Sequence, residues 1–447
     1  MLSDPIVALA TAPGRGAVAV VRLSGARAFA LAATVVEGLR TDLPRRANLG
    51  TFLDRAGRAV DRGLYLVFPG PRSYTGEDMV EFHCHGGAMA ANQVMGALLG
   101  AGARPAEPGE FTRRAVLNGK MDLLQAEGVA DLVDAYAPTQ ARAALHQVEG
   151  GLSARIQRLR LQLLDLVAAL SYEIDFPGED DGPISPQAMA GQLRAVQADI
   201  DRLLRTAPAG ERLRTGALVV LAGAPNSGKS SLFNALLGVN RALVTPVPGT
   251  TRDAVEADTE FDGWPIRLAD TAGLREADDM VERLGIEVSR RYLESADLVL
   301  LCAEAGRPLE PGEREAIRGR VAIVVRTKSD LVPTRDGEEV EGIAVSVVDG
   351  EGLGALRSAA AIAAVERAAG GVLRDHYPVL LRERHPIGLE AATEALAPVE
   401  GLLGPSGDAA LAAHQVQGAL AALDALIGVM DPDEVLGRIF SRFCVGK

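Results

Sequence analysis

The chain has 447 residues, a formal net charge of −13, 48% hydrophobic residues and 4% aromatic residues. This length corresponds to about two to four domains, and the hydrophobic share excludes disorder as a global description. The acidic balance excludes a protein that coats nucleic acid through its overall charge, although it allows a local basic patch.

The spacing of the cysteines and the length of the apolar runs indicate in which cellular compartment the protein is expected. Cys84, Cys302 and Cys444 lie far apart in sequence and form no disulfide framework, which is typical of a reducing cytosol. A secretory signal requires basic residues before its apolar run, and none precedes the first apolar run here. No run reaches the ~18 apolar residues of a membrane span. The sequence therefore predicts a cytoplasmic protein.

The first part of the chain, residues 1–118, mixes strand-like runs with glycine and proline punctuation. Ala17–Leu23 and Gly63–Phe68 are predicted strands, and Ala88–Leu99 is a predicted helix. This pattern indicates an α+β domain of its own.

Two later segments, 119–215 and 373–447, have apolar residues at helical spacing. Helices are predicted over 121–136, 150–172 and Pro186–Arg205, and the acidic, proline-rich stretch Asp175–Pro186 separates the last two. Asp431-Pro432 is a predicted start of the last helix. We interpret the two segments as halves of one helical domain.

The intervening segment, residues 216–372, alternates short apolar strands with helical stretches. Such alternation predicts a parallel sheet with crossover helices, inserted between the two helical halves. The predicted strands are Ala217–Ala222, Ile266–Ala269, Leu298–Ala303, Val321–Val325 and Ile343–Val347.

A phosphate-binding loop follows the first of these strands. The run Gly223–Ser230 matches G-x-x-x-x-G-K-[ST] and precedes a predicted helix. Backbone N–H groups of such a loop cradle phosphates, Lys229 reaches the β- and γ-phosphates, and the hydroxyl of Ser230 binds Mg²⁺. The predicted contacts from this loop are Asn226, Ser227, Gly228, Lys229, Ser230 and Ser231.

Further motifs follow in the order that a GTPase needs. Thr251 offers a switch hydroxyl for Mg²⁺, and Asp270 begins a D-x-x-G motif that faces the metal and the γ-phosphate. Asp330 can accept the two N–H groups that guanine has and adenine lacks, and Lys328 is expected to pack under the base. The remaining nucleotide contacts predicted from these motifs are Thr250, Thr271, Ala272, Gly273, Thr327 and Ser346. Thr327 stands where GTPases more often have Asn.

The water-orienting residue is missing from its usual place. Leu274 follows the D-x-x-G motif, where Ras-like enzymes carry Gln, and leucine cannot hydrogen-bond to water. Four nearby charged residues are open candidates for orienting the water, and each could also be an ordinary charge on a solvated helix. They are Arg275, Glu276, Glu282 and Arg283.

The histidines beside Cys84, and the cysteines Cys302 and Cys444, could be functional residues or ordinary structural ones. His83 and His85 flank Cys84 with strand spacing, but no third metal ligand is evident, so a metal site is disfavoured. Cys302 lies in an apolar strand and is predicted to be core. Cys444 is four residues from the end, where a cysteine is usually inert.

Motifs over nearly the whole chain resemble the MnmE (TrmE) family of tRNA uridine-modification GTPases. Apart from the GTPase motifs, they are Pro13–Gly16, Arg22–Gly25, Ser73–Asp78, His85–Gly87, Pro108–Thr112, Leu117–Lys120, Gln125–Glu127 and Phe443–Lys447. The resemblance implies a Ras-like P-loop G domain inserted into a helical domain, preceded by an α+β domain that resembles a tetrahydrofolate-binding fold.

For the G domain, the resemblance implies potassium-activated hydrolysis. Asn226, Thr245, Val247 and Thr250 match the family's K⁺ ligands, and the ion takes the place of an arginine finger when two G domains meet. The same loop, by resemblance, adds Thr245, Pro246, Val247, Pro248 and Gly249 to the expected nucleotide contacts. Glu282 matches the catalytic glutamate, which selects one of the four candidates. Pro246 and Pro248 depart from the pattern, although Val247 can still ligate through its carbonyl.

For the other domains, the resemblance implies folate binding and constitutive homodimerisation. Arg22, Glu81 and Lys120 match positions that contact a formyl-tetrahydrofolate, and Lys447 is expected to point toward the same site. Cys444 belongs to a C-terminal C-x-G-K motif associated with the modification reaction.

The resemblance also implies partners. One is MnmG, a flavin enzyme that would bring FAD and form a heterotetramer or larger complex with this chain. The two proteins would together add a carboxymethylaminomethyl-type group at C5 of wobble uridine 34. The tRNA would be bound mainly through the complex. No G-x-G-x-x-G dinucleotide motif occurs in this chain. Two alternatives stay open: a regulatory GTP switch in ribosome assembly, and a folate-dependent one-carbon transferase that GTP gates.

Overall fold

The structure is a computed structural model of the chain. It describes residues 4–176, 185–238, 255–270, 291–332, 341–366, 379–403 and 407–428, together with residues 443 and 446. The chain divides into two compact units, Met1–Ala130 with Asp424–Lys447, and Asp131–Leu423. The predicted domain boundaries after residues 118, 215 and 372 stay predictions.

The first unit is built on a six-stranded sheet. Its strands are β1 (Ile6–Leu9), β2 (Val18–Ser24), β3 (Asn48–Leu53), β4 (Ala59–Phe68), β5 (Met79–His85) and β6 (Arg104–Pro105). Their order is β3-β4-β5-β2-β1-β6, and all neighbours are antiparallel except β1 and β6. The predicted strands at 17–23 and 63–68 are confirmed, although the second begins earlier, at Ala59.

Side-chain alternation explains which face of this sheet is buried. In β5, Val80, Phe82 and Cys84 are buried, whereas the intervening Glu81 and His83 are only partly buried. Phe82 meets Phe52 of β3 edge to face, with ring centroids 5.8 Å apart. The helices of this part of the chain are α1 (Ala28–Ala32), α2 (Ala88–Ala101), α3 (Glu110–Leu117) and α4 (Leu123–Asp134). The predicted α+β fold is confirmed.

The end of the chain packs on this first unit. Phe443 is buried against Leu123 and Ala126, and Gly446 lies so close to β1 that a Cβ there would be 2.4 Å from the carbonyl oxygen of Leu9. The predicted helix start at Asp431-Pro432 lies outside the described residues.

The second unit contains a second six-stranded sheet. Its strands are β7 (Ala217–Ala222), β8 (Val255–Phe261), β9 (Trp264–Asp270), β10 (Leu298–Glu304), β11 (Ala322–Thr327) and β12 (Ile343–Val345). They lie in the order β12-β11-β10-β7-β9-β8, and the predicted strands of this segment are confirmed to within two residues at each end.

One strand of this sheet corrects the prediction of a purely parallel arrangement. β8 pairs antiparallel with β9 at the sheet edge. Its alternation of buried Ala257, Thr259 and Phe261 with exposed Glu256 and Asp258 is the signal that the sequence analysis missed.

The helices from residue 138 onward complete the fold. They are α5 (Pro138–Val148), α6 (Gly151–Asp175), α7 (Pro186–Leu204), α8 (Ala207–Thr215), α9 (Lys229–Leu237), α10 (Pro311–Ile317), α11 (Leu353–Ala361), α12 (Arg384–Leu396), α13 (Val399–Leu402) and α14 (Ala409–Ile427). The predicted helix at Pro186 is confirmed, and its start is fixed by the Ser185 hydroxyl, which accepts the N–H of Ala188 at 3.3 Å.

Among the described residues, α14 alone is long and apolar enough to cross a membrane by length and composition. Half of its most apolar window is buried inside the protein, as in the core helix of a folded domain.

Candidate functional site

The phosphate loop connects β7 to α9 and is shaped by its glycines. Gly223 has φ +142°, and a Cβ placed there would lie 2.2 Å from the carbonyl oxygen of Cys302 on β10. Gly228 has φ +85°, and Asn226 at the loop tip also has positive φ, +62°. The loop therefore adopts a backbone that a side chain at position 223 would disrupt.

Lys229 is the first residue of α9 and is 7% exposed. Its ammonium group donates hydrogen bonds to the carbonyl oxygens of Gly223 at 3.0 Å and Ala224 at 2.7 Å. The lysine is thereby held over the loop whose backbone would surround the phosphates, as the motif predicts.

The predicted metal-binding groups of two motifs lie together. The Ser230 hydroxyl donates to a carboxylate oxygen of Asp270 at 2.9 Å. They meet because β7 and β9 are parallel neighbours, so that the end of β9 faces the start of α9. A hydroxyl and a carboxylate are the oxygen ligands that Mg²⁺ prefers. No group of three or more His, Cys, Asp or Glu that could hold a metal ion occurs within the described residues.

Thr327, at the end of β11, is hydrogen-bonded to the phosphate loop. Its hydroxyl donates to the carbonyl oxygen of Ser227 at 2.8 Å and lies 3.3 Å from that of Ala303. Thr327 is 2% exposed, so its side chain acts inside the protein. Sequence analysis placed Thr327 in the nucleotide site but missed this bond to the loop, because the two residues are 100 positions apart in the chain.

The predicted base-recognition motif continues from Thr327. Lys328 has φ +57°, and its ammonium group pairs with Glu304 at the end of β10. The Lys328 hydrogen bond holds the pKa of Glu304 below its usual value. Asp330 lies in the short 3₁₀ turn Ser329–Leu331. Glu304 is a neighbour of the motif that sequence analysis did not single out.

Ser346 lies after β12 and is fully buried. Its hydroxyl is 3.2 Å from a carboxylate oxygen of Asp349, and the N–H of Asp349 donates to the same hydroxyl at 3.2 Å. These bonds stabilise the turn itself, and a contact of Ser346 with a base stays a prediction.

Several predicted site residues lie outside the described residues. They are Thr245, Pro246, Val247, Pro248, Gly249, Thr250, Thr251, Thr271, Ala272, Gly273, Leu274, Arg275, Glu276, Glu282, Arg283, Cys444 and Lys447. Their assignments stay predictions.

In the first unit, Arg22 and Glu81 form an ion pair across the sheet. They are directly opposed on β2 and β5, and the guanidinium lies 2.8 Å from the carboxylate. The guanidinium also lies over the rings of Tyr74 and Phe111, 5.6 and 5.7 Å from their centroids. Arg22 donates to the carbonyl oxygen of Gly446 at 3.3 Å, so the end of the chain reaches this site.

Lys120, the third predicted folate contact, has a different partner. Its ammonium group donates to the carbonyl oxygen of Pro71 at 3.0 Å. The structure thus brings Arg22 and Glu81 together and places Lys120 on a neighbouring loop. Tyr74 and Phe111 were missed by sequence analysis, although both lie inside the motifs that carry the family resemblance.

The two histidines beside Cys84 each face a carboxylate. His85 lies 2.7 Å from Asp61, and His83 lies 3.6 Å from Glu81. Burial raises the pKa of Cys84 to about 12. Cys302, predicted to be core, is fully buried, and burial raises its pKa to about 12 as well. Both thiols are therefore protonated at neutral pH and are poor nucleophiles.

A buried ion network stands beside the Arg22 site. Arg114 is 2% exposed and pairs with Glu110 at 2.8 Å and Glu77 at 3.0 Å, and Arg104 also contacts Glu110. Burial alone would raise the pKa of Glu110. Hydrogen bonds from Arg104, the Glu107 backbone and Arg114 outweigh it and lower the pKa to about 2.

Comparison with known proteins covers the whole chain. Residues 5–120 match the family described as GTP-binding protein TrmE N-terminus, and residues 123–444 match the family described as MnmE helical domain. A tRNA modification GTPase MnmE of Thermus thermophilus is 45% identical over 100% of this chain and 99% of its own. A tRNA modification GTPase MnmE of Laribacter hongkongensis is 44% identical over 100% of this chain and 99% of its own.

Among solved structures, the G domain of the FeoB iron transporter of T. maritima is 28% identical. The match covers 34% of this chain and 98% of that G domain, with a TM-score of 0.25.

Proposed function

The chain belongs to the MnmE family of tRNA modification GTPases, and on that premise we propose that it is a potassium-activated GTPase acting on wobble uridine. With the flavin partner MnmG it would add a carboxymethylaminomethyl-type group at C5 of uridine 34 in certain tRNAs. That the chain is a GTP hydrolase of tRNA modification follows from the family itself. We further propose that it acts in the cytoplasm.

The observation that carries GTP hydrolysis is the hydrogen bond between Ser230 and Asp270. These two oxygen groups would hold Mg²⁺, Ser230 directly and Asp270 through water, with Thr251 as the expected third group. When bound, the ion neutralises charge on the β- and γ-phosphates. Lys229, held over the loop by two carbonyl oxygens, would turn its ammonium group to the same phosphates.

Guanine selection is proposed to rest on Asp330. Its carboxylate would accept the N1–H and 2-amino hydrogens of guanine, whereas adenine offers no such pair. Lys328 is oriented by Glu304, which leaves its aliphatic stem available to pack against the base. Thr327 contributes through the loop rather than through the base, because its hydroxyl is bonded to Ser227.

Hydrolysis itself is proposed to require potassium and a second G domain. Asn226 lies in the phosphate loop and is exposed, a position suited to an ion shared at a G-domain interface. Thr245, Val247 and Thr250 would complete the K⁺ ligands, and Glu282 would orient the attacking water. Replacing K⁺ by Na⁺ should abolish the stimulation, and Glu282→Ala should reduce turnover while GTP affinity is retained.

The first unit is proposed to bind a 5-formyl-tetrahydrofolate or a related folate and to hold the homodimer together. Glu81 could pair with the amino-pyrimidine edge of a pterin, and Arg22 and Lys120 could meet its carboxylates. The two rings beside Arg22 offer faces on which a flat heterocycle can stack. Lys447 and Cys444 would approach from the end of the chain, and a role for the Cys444 thiol stays a prediction.

The test of the pathway is mass spectrometry of tRNA from cells that lack the gene. Loss of the C5 modification at uridine 34, restored by the intact gene but not by Asp270→Asn, is the expected result. Intact modification would contradict the proposal and favour a regulatory GTP switch. Loss of modification that Asp270→Asn restores would instead favour a folate-dependent transferase that GTP only gates.

A further inference from the structure

Charge is divided unevenly along the chain. Residues 1–120 contain 14 Arg and Lys against 10 Asp and Glu, a net charge of +4, so the remaining residues carry −17. The other residues of the first unit, 121–130 and 424–447, contain 3 Arg and Lys against 6 Asp and Glu, so the unit as a whole carries +1. Residues 1–120 are therefore the part of the chain whose net charge favours a polyanion.

Ion pairs with arginine engage five of the ten carboxylates of this segment and, within its described part, leave several arginines unpaired. Glu81 pairs with Arg22, Glu77 and Glu110 pair with Arg114, Asp42 pairs with Arg40, and Asp54 pairs with Arg58. Among the described residues, Arg45, Arg46 and Arg72 form no ion pair, and all three are exposed. We call these three residues the basic cluster.

The basic cluster is brought together around the loop between β4 and β5. The backbone N–H of Arg45 donates to the carbonyl oxygen of Val67 at 2.9 Å, and its guanidinium donates to the carbonyl oxygen of Arg72. Arg46 follows directly in the chain, and its carbonyl oxygen accepts the side-chain amide of Asn48 at 2.8 Å. Arg45 and Arg72 are thus in contact, and Arg46 is the next residue in the chain.

Two further charged residues contact the same loop. Lys120 donates to the carbonyl oxygen of Pro71, and Asp78 accepts the N–H of Gly70 at 3.0 Å. The Arg45 guanidinium has five N–H donors, and one of its nitrogens is bonded to the Arg72 carbonyl oxygen. The remaining donors are available to a ligand.

We propose that the basic cluster contacts the phosphate backbone of the tRNA substrate. The inference rests on the proposed function, which supplies an RNA as substrate. Guanidinium groups bind phosphate oxygens with paired N–H donors, and such contacts orient a nucleic acid without reading its sequence. A few such contacts give weak binding with a shallow salt dependence, since each phosphate contact adds about 0.7–0.9 to the slope of log K against log salt.

The test measures binding of unfractionated tRNA to the full-length protein by fluorescence anisotropy between 50 and 200 mM KCl. The variant Arg45→Gln/Arg46→Gln/Arg72→Gln should bind at least about tenfold more weakly at 50 mM, with its salt slope reduced by about 2. The matched control is Arg40→Gln/Arg58→Gln/Arg318→Gln, which removes the same charge from exposed arginines paired with Asp42, Asp54 and Glu315. The control should keep the wild-type slope.

The single variant Arg46→Gln guards against a folding defect in the triple variant, because no side-chain bond of Arg46 is formed within the described residues. It should lower the slope by about 0.7–0.9 and leave GTP turnover unchanged.

Several results would overturn the inference. They are equal loss in variant and control, no tRNA binding by the wild type at 50 mM KCl, binding to anionic phosphatidylserine vesicles in place of tRNA, or a changed oligomeric state with tRNA binding intact. Any of these can occur while deletion cells still lose the uridine modification, in which case the proposed function stands and only this surface assignment fails.

Discussion

The two candidate sites are built in different ways. At the phosphate loop, Ser230 and Asp270 meet where parallel strands end and the backbone is free to turn toward a ligand. In the first unit, Arg22 and Glu81 meet in the middle of antiparallel strands, where the backbone is already used by the sheet. The first site therefore offers mainly backbone groups, whereas the second offers mainly side chains, together with the carbonyl oxygen of Gly446 that Arg22 contacts.

This difference determines which substitutions each site tolerates. A site made of backbone N–H groups fails when the path of the chain changes, even if every functional side chain remains. A site made of side chains keeps its backbone under substitution and loses only the contacts removed. The predictions below test this contrast, from the largest expected effect to the smallest.

The largest effect is expected from Gly223→Ala. The added Cβ would meet the Cys302 carbonyl oxygen at 2.2 Å, on a backbone whose φ of +142° disfavours any side chain. GTP affinity, measured by titration with a fluorescent analogue, should fall by more than about a hundredfold. Gly319→Ala is the control, because Gly319 also has positive φ (+71°) but nothing lies within 4 Å of the added atom. Unchanged affinity in Gly223→Ala would contradict the backbone-built description.

The second effect concerns the acid stability of the first unit. The pKa of Glu110 is about 2 in the folded protein, below its ordinary value of 4.5, because the hydrogen bonds from Arg104 and Arg114 outweigh burial. A lowered folded pKa gives stability that is fully present above pH ~4.5 and is lost as the pH falls toward 2. The contribution at neutral pH is about 2–3 kcal/mol.

Hydrogen exchange of peptides from α3, followed at pH 7, 5 and 3, should show this loss between pH 5 and 3. Trp264 is the only tryptophan and lies on β9, so its fluorescence reports the second unit separately. Glu110→Gln should exchange faster at pH 7 and show less further change on acidification. Equal pH dependence in wild type and variant would mean that Glu110 is not the titrating group.

The same contrast explains what the sequence could predict. Buried parallel strands such as Leu298–Glu304 are continuous apolar runs, and the phosphate loop is contiguous in the chain, so both were predicted from the sequence. By contrast, β8 was missed because it is half exposed and its signal is alternation, not apolarity. The Arg22–Glu81 pair depends on the register between β2 and β5, which no local pattern specifies. Only the family resemblance indicated these two residues.

The third effect is expected from Arg22→Gln. It removes the ion pair with Glu81 and the contacts with the rings of Tyr74 and Phe111. Binding of 5-formyl-tetrahydrofolate, measured by calorimetry, should weaken by about tenfold to thirtyfold, whereas GTP affinity should not change. Arg40→Gln, which removes an exposed arginine from the same unit, should leave folate affinity as it is. An equal loss in both variants would show that overall charge, not this pair, determines binding.

The smallest effect is expected from Thr327→Val. This substitution tests a residue in which a side chain stabilises a site built from backbone groups. Thr327 is a side chain of the nucleotide site that acts on the backbone, since its hydroxyl donates to the Ser227 carbonyl oxygen at 2.8 Å. Valine keeps the shape and leaves that buried oxygen without its donor, at a cost of about 1 kcal/mol, or roughly fivefold in GDP affinity. Thr327→Ser keeps the hydroxyl and should bind GDP nearly as wild type does. If valine and serine were equivalent, the hydroxyl would not support the loop, and the nucleotide site would depend on its own backbone alone.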